Sequence, residues 1–102
     1  MEGQRKYIKK MNEQSRVLGI WIDVWEEVTR AQRIFPWWPE DVAHGAAIVV
    51  EEAGEILKDA NSIRWTQKGV TPKELRIELI QTMAMCMRML LESPVFDEPT
   101  EG

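Results

Sequence analysis

At 102 residues, the chain holds one domain, because two cores would leave each half too small to bury enough apolar surface. A net charge of −4 at pH 7 argues against gripping nucleic acid by phosphate neutralisation, and the single Cys excludes an intramolecular disulfide. Five Trp and six Met in a chain that is 44% hydrophobic are more apolar surface than one small core hides, so self-association is expected.

The first stretch, residues 4–34, reads as an amphipathic helix. Tyr7, Ile8, Met11, Leu18, Trp21, Ile22, Trp25 and Val28 recur at spacings of three and four. On that periodicity Trp21 and Trp25 are core residues. Gly19 interrupts the stretch and is expected to loosen its middle. Arg5, Lys6, Lys9 and Lys10 meet the positive end of the helix dipole, so the first turns are expected to fray. The same basic cluster leaves no signal-peptide pattern, and no apolar run reaches the length of a membrane span. A cytoplasmic protein with no membrane contact is the expectation.

Phe35-Pro36-Trp37-Trp38-Pro39 cannot continue the helix, because proline removes donors and forces the preceding residue extended. Pro39, Glu40 and Asp41 read as the start of a second helix that runs to Asn61 or Arg64. A loop around Gln67-Lys68-Gly69-Val70 follows. Thr71, Pro72 and Glu74 then form an N-cap, a first-position proline and a capping-box partner for a third helix ending near Glu92. Strand signals are nearly absent. The expected fold is all-α: a small helical bundle of three main helices over residues 1–92, completed by homo-oligomerisation, with an acidic, mobile tail over residues 93–102.

On a helical wheel, Val49, Val50, Ala53, Ile56, Leu57 and Ala60 gather on one face of the second helix. His44, Glu51, Glu52 and Glu55 gather on the other. In the third helix, Leu75, Leu79, Ile80, Met83, Met87, Leu90 and Leu91 form the apolar face. Glu74, Glu78, Gln81, Met85, Arg88 and Glu92 form the opposite stripe. Glu52 and Glu55 are three residues apart, as are Glu78 and Gln81. If the two helices are antiparallel neighbours, four oxygen-bearing side chains converge on one point, the donor set a hard cation takes. Solvated helix faces also carry acids at this spacing, and on spacing alone that reading is the commoner one.

Glu51-Glu52-Ala53-Gly54-Glu55-Ile56 resembles the EE-x-G-E signature of the MazG-type nucleoside triphosphate pyrophosphohydrolases, and Glu78-Leu79-Ile80-Gln81 falls where that family carries E-x-x-D. The similarity spans about Trp38 to Leu91. It implies an all-helical homodimer or homotetramer that hydrolyses a (d)NTP to the monophosphate and pyrophosphate with Mg²⁺, or with Mn²⁺ in its place. Under that resemblance Glu52, Glu55, Glu78 and Gln81 correspond to metal ligands, and Glu51 to the residue that orients or deprotonates the attacking water. Gln81 stands where the family has Asp: an amide oxygen still ligates Mg²⁺ but brings no charge and no basicity.

His44, Trp38, Lys58 and Arg88 are weaker candidates for substrate contact. His44 lies two turns before Glu51 and suits phosphate, or support of the metal ligands; a local hydrogen bond at a helix start is as common. Trp37 and Trp38 suit stacking on a base, though tryptophans more often plug a core. Lys58, Arg64, Lys68 and Arg88 suit phosphate, though each taken alone reads more readily as an ordinary surface charge. The methionines from Met83 to Met89 read as adaptable packing, and Cys86 as buried and inert. The rival functions are a non-catalytic helical interaction module, favoured by Gln81, and a nucleic-acid binder using Arg5 to Lys10, disfavoured by the acidic remainder.

Overall fold

The computed structural model describes residues 2–65 and 69–97. Among them the chain is helical throughout, with no strand: α1 (Glu2–Ile34), α2 (Val42–Arg64), α3 (Pro72–Glu92) and a short 3-10 turn (Pro94–Phe96). Lys68, with the centre of its loop, and residues 98–102 of the tail lie outside the described residues.

The helix ends follow the local chemistry of the sequence. Asp41 caps α2, its Oδ1 accepting from the Ala43 and His44 amides at 2.8 and 3.1 Å, which satisfies donors that have no partner within the helix. At α3 the Thr71 amide donates to Glu74 Oε2 at 3.0 Å, with Pro72 at the first position. Gly69 takes φ 98°, a left-handed turn that side-chain-bearing residues resist. Neither Gly19 nor the basic cluster breaks α1, which is continuous from Glu2.

Pairings along the chain fix the topology. Asp23 meets Arg76 at 2.8 Å, Gln32 donates to Glu92 at 3.3 Å, and Arg88 donates to the Phe35 carbonyl at 2.8 Å. Asp23, earlier in α1, meets the start of α3, and Gln32 and Phe35 at the end of α1 meet its last turns, so α1 and α3 run parallel. Trp38 and Gly45 lie against each other beside Arg88, while Glu52 and Asp59 act on Glu78, so α2 and α3 run antiparallel. α3 packs on both other helices. The core is small: Val24 and Val28 of α1 against Ile80 and Ala84 of α3, with Met85 and Met87 packed alongside. Ala84 lets the backbones approach, and each larger member contributes about 1.5–3 kcal/mol by leaving water.

The apolar faces read from the wheel are largely turned outward. Trp21 and Trp25 are about half exposed, at 49% and 53%, and α1 instead buries Val24, Val28 and Ala31. On α3 the buried line is Ile80, Ala84 and Arg88, while Leu79, Met83, Leu90 and Leu91 are exposed. On α2, Val50, Ala53 and Leu57 are exposed, and Gly45, Glu52, Ile56 and Asp59 face inward, buried or half-buried. On α3 the stripe carrying Glu78 and Gln81 is the inner one, whereas on α2 only Glu52 of His44, Glu51, Glu52 and Glu55 is drawn in from solvent. Cys86 is exposed rather than buried, lying among the outward residues of α3.

The molecule is extended, with a radius of gyration of 17.9 Å against roughly 13 Å for a compact domain of this size. No helix among the described residues is long and apolar enough to cross a membrane.

Candidate functional site

The antiparallel α2–α3 pair puts Glu52 and Glu78 on facing sides. Glu52 is half-buried, and burial pushes its carboxyl above the usual range, helped by the charges of Glu51, Glu55 and Glu27. Glu78 is likewise raised by burial, then by Glu52, Asp59 and Glu55. Acids separated by more than twenty residues of sequence thus share one electrostatic neighbourhood. Both effects disfavour the ionised form, and a cation would reverse them.

Gln81 is half-buried one turn after Glu78 and joins Glu52 in lining a cleft of about 140 Å³. The same cleft is walled by Glu27, Arg30, Met85 and Arg88. Glu27 and Arg30 pair through Arg30 Nε and Glu27 Oε2 at 2.9 Å. These two α1 residues, with Asp59 of α2, are site residues that periodicity did not single out. Glu26-Glu27 is an ordinary acidic doublet in sequence; only the parallel docking of α1 on α3 turns Glu27 toward Glu52.

Glu51 and Glu55 are exposed at the edge of this neighbourhood, and His44 and Lys58 are exposed on α2. Trp38 and Arg88 are engaged elsewhere. Trp38 is buried: a Cβ on Gly45 would stand 2.7 Å from its Nε1, and the Arg88 guanidinium carbon lies 5.4 Å from its ring centre. Arg88 is 2% exposed and binds Glu92 at 2.6 Å as well as the Phe35 carbonyl. Its charge is spent on Glu92, whose carboxyl it holds below the usual range. Trp37, at 85% exposed, is the open aromatic face of the pair.

The donor set Glu52, Glu55, Glu78 and Gln81 is all oxygen, and its chemistry fits a hard divalent cation. As the side chains stand, no three His, Cys, Asp or Glu residues among those described come close enough to hold one ion together. No family model matches the chain, and neither does any curated protein or solved structure.

Proposed function

We propose that the chain is a Mg²⁺-dependent nucleotide pyrophosphohydrolase, cleaving a (d)NTP to the monophosphate and pyrophosphate, and that it works as a homo-oligomer. The observation that carries this is that Glu52 and Glu78, from two separate antiparallel helices, are both half-buried, with the charge of Glu52 acting on Glu78. Glu52 and Glu78 are drawn inward while Glu51 and Glu55 stay exposed at the rim. The resemblance of Glu51–Glu55 and Glu78–Gln81 to the paired acidic motifs of the MazG type supplies the reaction class.

In this reading Glu52, Glu55 and Glu78 would hold Mg²⁺ through carboxylate oxygens and Gln81 through its amide oxygen. The cation would polarise the scissile phosphoryl group and lower the pKa of a water poised for in-line attack. Glu51, exposed beside Glu52, orients that water and accepts its proton. Arg30, held by Glu27 at the cleft wall, keeps exposed guanidinium surface that would meet a phosphate oxygen. At about 140 Å³ the cleft is below the roughly 300–1,000 Å³ of small-molecule sites, so the nucleoside needs walls from another copy.

A second reading, a helical interaction module without chemistry, draws on Gln81 and on the lack of three gathered acids among the described residues. Calorimetric titration with Mg²⁺ or Mn²⁺, followed by pyrophosphate release from a panel of (d)NTPs, separates the two. The hydrolase reading expects saturable metal binding and turnover, both lost in Glu55→Gln. Absence of binding and turnover together leaves the module.

A further inference from the structure

We infer that the overhanging N-terminal part of α1 is a docking arm for a second copy of this chain, binding that copy's acidic, apolar-striped body. The inference rests on the self-association proposed above and is independent of the hydrolase chemistry.

Residues 2–18 of α1 are exposed without exception. Among the described residues the first ion pair from α1 to another helix is Asp23 with Arg76, near the start of α3, and residues 2–18 run past the bundle by about 25 Å at 1.5 Å per residue. An unpacked helix of this length is marginal in water unless an apolar face is covered. That face exists: Tyr7, Ile8, Met11 and Leu18 are each about half exposed or more, and the stripe continues without a break into Trp21 and Trp25.

Surface area indicates how much covering is needed. The chain exposes 8460 Å², whereas a compact monomer of 11.9 kDa exposes about 5,900 Å². The surplus of about 2,500 Å² matches one partner's share of a large permanent homodimer interface, which buries roughly 2,000–5,000 Å² over both sides. The body also supplies a matching surface, with Leu79, Met83 and Leu90 of α3 each at least 36% exposed.

Charge selects the occupant. Residues 2–16 carry five cations (Arg5, Lys6, Lys9, Lys10 and Arg16) against two carboxylates. With a whole-chain charge of −4, the remainder is seven charges negative. Arm against arm repels, while arm against body attracts. A second copy of this chain therefore offers both complements at once, carboxylates for the cations and the α3 stripe for the apolar residues.

The test is sedentary in its chemistry and reads mass: sedimentation equilibrium of the full chain, at low and high salt, for three proteins. Wild type is expected to be a dimer or larger at micromolar concentration. Lys6→Glu, Lys9→Glu and Lys10→Glu combined are expected to weaken association by about tenfold at low salt and less at high salt. Met11→Lys with Leu18→Lys is expected to yield monomer, with helical circular dichroism lowered by melting of the arm alone. An oligomer indifferent to both variants overturns the arm and leaves self-association standing. A monomeric wild type overturns both, and a monomer that binds anionic vesicles or duplex DNA through the same lysines assigns the arm to that ligand instead.

Discussion

The Arg88 guanidinium carbon stands 5.4 Å from the centre of the Trp38 ring, so two side chains suited by type to hold a nucleotide hold each other. Arg88 is nearly sealed from water, with Glu92 and the Phe35 carbonyl completing its shell. Together they tie the α1–α2 link to the C-terminal end of α3. Arg88→Met should cost about 3 kcal/mol in chemical unfolding, because it strands Glu92 and a carbonyl without their donor. A variant as stable as wild type would show that water replaces the guanidinium without penalty.

Gly45 is the other wall of the Trp38 site, and the space there is closed to a methyl group. Gly45→Ala should destabilise by about 1–3 kcal/mol through overpacking, although alanine is the better helix former at an unconstrained position. Trp38 Nε1 is buried without an acceptor among the described residues, so Trp38→Phe should cost far less than Trp38→Ala. Thermal melts of the three variants check both statements.

Gln81→Asp places a carboxylate in the cleft beside Glu52. We expect about tenfold tighter Mg²⁺ binding, in proportion to the added charge near the ion. Without metal, the same change should lower the melting temperature at neutral pH through like-charge repulsion, and Mg²⁺ should recover it. Unchanged metal affinity would place residue 81 outside the ligand set.

Glu52 and Glu78 are raised by burial and neighbouring acids. Raised carboxyls favour the protonated native state, so their contribution is present below the ordinary range and is lost as pH rises through their elevated values. Metal-free stability should therefore fall on going from mildly acidic to neutral pH, and Glu52→Gln with Glu78→Gln should flatten that slope. Glu92 works in the opposite sense: held low by Arg88, it stabilises above the usual glutamate range and loses this as pH falls through its depressed value. Melting curves across pH, with and without the double substitution, separate the two.

What could be read from sequence was local. The three helices, the cap at Thr71 and the break at Pro36–Pro39 follow from backbone donors, capping chemistry and proline geometry, which act over a few residues, whereas the cap at Asp41 sets the start of α2 at Val42, past Pro39 and Glu40. Spacings of three put each set of acids on one helix side, but that Glu52 acts on Glu78 depends on α2 and α3 being antiparallel neighbours, which spacing leaves open. Facing was another matter. Trp21, Trp25, Leu79 and Met83 have the periodicity of a core, yet they lie outside the single-chain core. Periodicity records that a face will be covered and not what covers it. Glu27, Arg30 and Asp59 gave no signal, because their place at the site depends on the parallel docking of α1 on α3 and the register of α2. Those relations are chosen by packing over distances that no local pattern encodes, and they decided which stripe became interior.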